Sequence, residues 1–297
     1  MYHNPVLLKK SVDDLVTNPD GIYVDVTFGG GGHSREILKK LSPKGKLYSF
    51  DQDLDALKNT IDDDRFTLIN QNFRFLENSL MAYGITRVDG VLADLGVSSH
   101  QFDEASRGFS TRMNAPLDMR MNVMQVLDAK KIINEYEEEQ LASIFYYYGE
   151  LRESRKLARE IVHHRQNKPI ETTEDLKKLF SYIPQFKQNK FFAQVFQAIR
   201  IEVNQELEVL KEMLVQSYNT LKPQGRLVVI SYHSLEDRLV KRFLKNGMFE
   251  GEPARDIYGN FSKIFDLLQT KAMIPSEEEI AENSRARSAK MRVGIKL

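Results

Sequence analysis

Three acids and one aromatic ring stand at the ends of apolar runs, where a small charged ligand can be held. Asp25 lies in the run Ile22–Val26, and the four glycines Gly29 to Gly32 follow it, ahead of His33 and Ser34. Asp51 closes Lys46–Phe50, Phe73 follows Phe66–Ile69, and Asp94 closes the run that starts at Val88. Glycine lets the backbone take positive φ and approach a ligand with no Cβ in the way. A helix that starts behind the glycines offers free N–H groups and a partial positive charge. Four consecutive glycines cost more backbone entropy than a plain turn needs, which favours a ligand over a bare turn.

Several ligands use a glycine turn, and the residues around it separate them. No Gly-Lys-Ser/Thr follows, so a nucleoside-triphosphate loop is excluded. A dinucleotide fingerprint finds Gly29 and Gly31 in place but meets Ser34 where its third glycine belongs. An acid at the first strand end followed by a glycine turn is the usual opening of an S-adenosylmethionine site. The carboxylate and the backbone N–H groups meet the charges on that molecule's sulfonium and amino acid. Asp51, about 20 residues on, sits where such sites place an acid on ribose hydroxyls. Phe73 suits a cover for the adenine, and equally a core position in the next helix. Asp53 and Asp55 read as acids in a helix's first turn.

These residues need strand ends to carry them. Strands are expected at Ile22–Val26, Lys46–Phe50, Phe66–Ile69 and Val88–Asp94, with helices between them, so the four strand ends share one rim of a parallel sheet. A short helix over residues 5–16 precedes them. The alternation then stops. Residues 102–121 read as a loop that packs through Phe109, Met113, Leu117 and Met119, and residues 126–214 as helical, closing in one long helix from Phe192 to Leu210. A turn at Lys222–Gly225 restores the strand pattern at Arg226–Ser231, a helix with Leu235, Leu239, Val240 and Phe243 follows, and strand-like runs recur at 263–267 and 291–295. The expectation is an α/β, Rossmann-like core of residues 1–105 and 215–297 with an all-helical insertion at 106–214 that recognises substrate.

Composition limits the rest. The 297 residues are 41% apolar and carry no net charge, so any polyanion must be held by local patches. There is no cysteine, which excludes disulfides and thiolate metal sites and fits a reducing cytoplasm. No stretch approaches the length needed to span a membrane. Among the six histidines there is no His-Glu-x-x-His, and the adjacent pair His163 and His164 points to different helix faces, so no metal is expected. His233, Ser234 and Asp237 lack the Gly-x-Ser-x-Gly elbow of a hydrolase.

A resemblance rests on longer segments. His3-Asn4-Pro5-Val6-Leu7-Leu8, Asp25-x-Thr27-x-Gly29-x-Gly31-Gly32-His33-Ser34, Asp94 to Ser99, Arg107 to Ser110, Pro116 to Arg120, Phe196 to Ile201, Ser231 to Arg238 and Glu282 to Ser288 are similar to motifs of the ribosomal RNA small subunit methyltransferase H family, also called MraW. The departures are Ser284 and His100, each where proline is expected. The resemblance implies a class I methyltransferase fold and S-adenosylmethionine-dependent N4-methylation of a cytidine in the decoding centre of 16S rRNA. It also implies cofactor contacts at Gly31, Gly32, His33, Asp51, Phe73, Asp94 and Gln101.

The residues agree with amine chemistry. Methylation at cytosine C5 usually needs a cysteine thiolate, whereas an exocyclic amine attacks the methyl group in line and needs mainly positioning. An acceptor for the amino hydrogens helps it, and Asp94 stands at the strand end where amino-methyltransferases place one. The base must leave its stack, and single-stranded RNA is read by aromatic and basic side chains. Arg112, Arg120, His233 and Arg238 flank the expected rim. The tail from Ala281 sets five cations, Arg285 and Arg287 among them, against one acid. Arg152, Arg155, Lys156 and Arg159 form a second basic run that suits a solvated helix face as well. Neutral overall charge points to a shaped assembly, such as a ribosomal subunit, over arbitrary RNA, and the resemblance implies the small subunit as partner. Two other readings stay open. A small-molecule or DNA amino-methyltransferase is one, although Asp94-Leu95-Gly96-Val97 departs from the (Asp/Asn/Ser)-Pro-Pro-(Tyr/Phe/Trp) motif usual in the DNA enzymes. The other is an assembly factor that binds the cofactor without turnover.

Overall fold

Strands that are apolar on both sides need cover on both faces, and this chain supplies it by placing amphipathic helices between them. The structure, a computed structural model, describes residues 5–258 and 261–297; His3 and Asn4 of the opening motif lie outside them. It divides into two compact units, Met1–Gly96 with Leu207–Leu297, and Val97–Glu206. The first unit begins with α1 (Leu8–Leu15), β1 (Ile22–Asp25), α2 (Gly32–Lys40), β2 (Lys46–Phe50), β3 (Phe66–Ile69), α3 (Leu76–Ala82) and β4 (Val88–Asp94). The second contains α4 (Ser99–Asp103), α5 (Ala129–Glu135), α6 (Glu138–Tyr147), α7 (Ser154–Arg165), α8 (Thr173–Leu179) and α9 (Gln185–Asn204). The chain returns through α10 (Glu206–Thr220), β5 (Leu221–Ser231), α11 (Ser234–Asn246), β6 (Phe265–Leu267), α12 (Glu277–Glu282) and β7 (Lys290–Lys296).

The seven strands form one sheet in the order β3-β2-β1-β4-β5-β7-β6. Strands β1 to β5 run parallel, and β7 is antiparallel to both β5 and β6. This is the Rossmann-like, mostly parallel sheet that the sequence leads one to expect. Neighbouring residues of one strand face opposite cores. Val24, Val91 and Val229 pack with Leu80 of α3, Leu214 of α10 and Phe243 of α11. Tyr23, Leu92 and Val228 pack with Leu15 of α1 and Ile37 of α2. Each such side chain contributes about 1.5–3 kcal/mol when fully buried. Strand order reverses between β1 and β4, and in open sheets the crevice at such a point binds ligands outside the strands' carboxyl ends.

The second unit has its own core, with Ile133, Phe145, Leu157, Leu176 and Phe196 on successive helices. The loop before α5 packs into it: Phe109, Leu117 and Met119 are buried. Asn204 holds that loop, donating from Nδ2 to the Met119 carbonyl at 2.8 Å and accepting the Met121 N–H at Oδ1, also at 2.8 Å.

Three expectations differ from what forms. The single helix expected from Phe192 to Leu210 is two, because Gln205 takes φ 51° and ends α9. The units join at 96/97 and 206/207 rather than 105/106 and 214/215. Val97 and Phe102 pack on the helical core, while Leu210, Met213 and Leu214 of α10 pack under the sheet. The turn at Lys222–Gly225 is a bulge inside β5: Val88 pairs with Leu221 and Gly90 with Arg226, and Gln224 takes φ 65°.

Candidate active site

The glycine turn is built by the protein's own packing. Gly29 and Gly31 take φ of 50° and 75°. A Cβ on Gly31 would lie 2.9 Å from the Phe28 ring, and one on Gly32 only 2.2 Å from Pro5 Cγ. Arg35 donates to the Gly30 carbonyl at 2.6 Å, and Asn59 to that of Gly29 at 3.0 Å. Gly31 is the N-cap of α2 and has no side chain to bond the helix's first amides. Those amides suit an anionic group.

The acids converge as expected at strand ends, each on a defined set of donors. Asp25, fully buried, accepts the Ser34 hydroxyl at 2.6 Å and the Thr27 N–H at 3.1 Å. Burial raises its pKa, against the pull of His33 and these hydrogen bonds. Asp51 accepts the N–H groups of Gly29 and Asp53, each at 2.8 Å, so the acid expected to meet a ribose also anchors the glycine turn. Burial pushes its carboxyl up to about 6. Phe73 opens a short helical turn capped by Asn72, and its ring is partly buried against the sheet core.

Asp94 is the most elaborately held of the three. Its N–H donates to Thr27 Oγ1 at 2.7 Å, which ties β4 to the turn after β1. The Tyr232 hydroxyl donates to Oδ1 at 2.7 Å. The second oxygen faces His33 Nδ1 at 3.7 Å. His33 Nε2 lies 3.2 Å from the Val6 carbonyl, which can only accept, so Nε2 carries a proton there and the ring turns Nδ1 to Asp94. Burial pushes Asp94 up to about 6, with His33 and Tyr232 pulling it back. A carboxylate in this state can accept hydrogen bonds from an amine and take up a proton near neutral pH.

Other residues singled out from the sequence are placed differently. Gln101 belongs to the helical unit, where its Oε1 accepts the Ser98 N–H at 3.0 Å in the capping box of α4. His233, read as facing RNA, is the N-cap of α11 and its side chain is mostly buried against Glu236. Arg120, also read as facing RNA, is committed to its own loop. It bonds both Asp118 oxygens and the Val123 and Gln125 carbonyls. Arg112, Arg238, Arg285 and Arg287 are exposed. Sequence reasoning singled out no role for Thr27, Tyr232, Arg35 or Asn59. Only Thr27 and Tyr232 carried a signal, as hydroxyls directly beyond the ends of β1 and β5.

A parallel sheet in this order, with a glycine turn and acids at the carboxyl ends of its middle strands, defines a class I S-adenosylmethionine-dependent methyltransferase. The chain belongs to the MraW methylase family, which it matches over residues 1–297. It is 64% identical over 297 residues to the ribosomal RNA small subunit methyltransferase H of Christiangramia forsetii, covering 100% of this chain and 98% of that protein. Its likeness to the protein of the same name from Flavobacterium johnsoniae is 61% over 297 residues, with the same coverage. Among solved structures, an rRNA methylase from Streptococcus thermophilus is similar with a TM-score of 0.41 and 13% identity, over 97% of this chain and 93% of that one.

Proposed function

We propose that this protein methylates the exocyclic N4 amine of a cytidine in the decoding centre of 16S ribosomal RNA, presented by the small ribosomal subunit. The observation that carries this reading is Asp94, a carboxylate at the switch point of the sheet, oriented by Tyr232 and Thr27 and pushed up to about 6. Its task is to accept the amino hydrogens, turn the nitrogen lone pair toward the methyl group, and take the proton that leaves. S-adenosylmethionine supplies an electrophilic methyl group on its sulfonium.

The cofactor contacts we assign are Asp25, Gly31, Gly32, His33, Asp51, Phe73, Asp94 and Gln101. Asp51 receives the ribose, Phe73 covers the adenine, and the α2 amides take the carboxylate. Arg112, Arg238, Arg285 and Arg287 are exposed cations, and we assign them to the RNA phosphates. A chain without cysteine suits attack by nitrogen and not by ring carbon. The relatives are ribosomal RNA small subunit methyltransferases, which supports RNA of the small subunit as substrate.

The test is incubation with labelled S-adenosylmethionine and small subunits that lack the modification, followed by mapping of the label. Label on N4 of one decoding-centre cytidine is the expected result. Label on DNA, or cofactor binding with no transfer to either nucleic acid, overturns the proposal. Equal rates on short naked RNA overturn the subunit as the substrate form.

A further inference from the structure

The Asp94 carboxylate has two oxygens, and an acceptor in catalysis has to present one of them in a fixed direction. A free carboxylate at a strand end rotates about its last side-chain bond, and each orientation it samples spreads the productive geometry. Tyr232 removes that freedom. Its hydroxyl donates to Oδ1 at 2.7 Å, and the tyrosine is itself held at its backbone, where the buried Glu236 carboxylate accepts the Tyr232 N–H at 2.9 Å. Glu236 also accepts the N–H of His233, so the turn between β5 and α11 closes around one acid. Gly96, just beyond β4, neighbours the ring: a Cβ there would stand in ordinary contact with it, 3.6 Å from the Tyr232 edge.

We propose that Tyr232 is a positioning residue for methyl transfer, occupying Oδ1 of Asp94 so that Oδ2 is the oxygen presented to the substrate amine. This rests on the reading of Asp94 as the amine's acceptor. The phenol is suited to the task because it stays a donor: burial and the neighbouring Asp94 raise its pKa well above the ordinary tyrosine value. The other titratable groups around Asp94 are His33 on α2, Asp25 at the end of β1 and Glu236 on α11. His33 sits on the Oδ2 side and stabilises negative charge there, while the two acids oppose it. When the amine's proton arrives on Oδ2, the N–H bond breaks, its electron pair stays on nitrogen, and Oδ1 keeps its hydrogen bond from Tyr232.

The sign of the pH effect follows. A hydroxyl that donates to a carboxylate favours its charged form and lowers its pKa. Tyr232→Phe therefore moves the acid limb of kcat to higher pH. It lowers kcat by about ten- to a hundredfold at neutral pH, the range carried by a hydrogen bond to a charged group. KM for S-adenosylmethionine stays unchanged. Replacement of Tyr232 by a fluorotyrosine, nearly isosteric and a stronger donor, moves the limb to lower pH. A purely structural tyrosine shifts neither limb.

The experiment is the pH profile of kcat for wild type, Tyr232→Phe, the fluorotyrosine protein and Asp94→Asn on small subunits, with thermal midpoints as a folding control. Opposite shifts of the two Tyr232 profiles are expected. Profiles that superimpose on wild type overturn the proposal while leaving Asp94 in its role. Full turnover by Asp94→Asn overturns the reading of Asp94 itself. If Tyr232→Phe does not fold, the fluorotyrosine profile decides alone.

Discussion

Ser34 donates its hydroxyl to the Asp25 carboxylate at 2.6 Å, so the residue in the third-glycine position of a dinucleotide fingerprint holds the acid that precedes the turn. The Ser34 proton is committed to Asp25, and Ser49, 2.8 Å away, donates to Ser34 in turn. Strands β1 and β2 and helix α2 thus meet in one buried line of hydrogen bonds. Where dinucleotide enzymes need a glycine for close helix–strand packing, this chain has a hydroxyl with a partner.

Ser34→Ala leaves Asp25 buried with one donor fewer. The expected loss is about 1–3 kcal/mol of stability. Asp25 is already raised by burial, and losing a donor raises it further. The penalty falls on the charged form, so the drop in thermal midpoint is larger at pH 8 than at pH 5. Equal drops at both pH values, read by calorimetry, contradict this account of the bond.

Gly32→Ala places a methyl group against Pro5. The N-terminal segment has to shift, at a cost of about 1–3 kcal/mol for overpacking. That segment carries the Val6 carbonyl that holds His33, so activity falls along with stability. Gly84→Ala is the control for folding alone. It also sits at positive φ, 74°, but a Cβ there meets nothing within 4 Å. It is expected to lose stability and keep its kcat.

Asp94→Asn separates activity from stability. Asp94 titrates near 6 in the folded protein and near 4 in an unfolded chain. A raised carboxyl pKa means that the folded state binds the proton more tightly. Stability is therefore greatest below the unfolded value and is lost as pH rises from about 4 to about 6. Asparagine has no charge to bury and can still accept from Tyr232. The variant is expected to be inactive. Its stability relative to wild type improves on going from pH 4 to pH 8, by on the order of 2 kcal/mol. In the wild type, kcat rises with pH through about 6.

Asn204→Ala strands two backbone groups of the loop ahead of α5, the Met119 carbonyl and the Met121 N–H. Leaving buried polar groups unpaired costs about 1–3 kcal/mol. Protease cleavage between residues 108 and 121 is expected to accelerate, because the loop then loses the side chain that holds both Met119 and Met121. Unchanged cleavage sites and rates count against Asn204 as the clamp.

What could be read from the chain was whatever repeats a local pattern. Strands β1 to β4 are short, apolar and bounded by turn residues, so Asp25, Asp51 and Asp94 could be placed at their ends before any coordinates. Two kinds of information were not local. Gln205 carries no break signal of its own, and only its left-handed conformation divides α9 from α10. The task of Tyr232 depends on β5 lying beside β4, a pairing of residues more than a hundred positions apart. In sequence, Tyr232 has no assigned role and His233 reads as facing RNA. One proved to hold Asp94 and the other to cap a helix. The arginines show the same limit, since Arg112 and Arg120 look alike in sequence and only the second is consumed by Asp118.

Strand β7 lies between β5 and β6, not at an edge. While the chain is being synthesised, β5 has an open flank until residues 290–296 have left the exit tunnel, and β6 has nothing to pair with. The unfilled slot exposes backbone groups and the apolar Leu227, Val229 and Phe265.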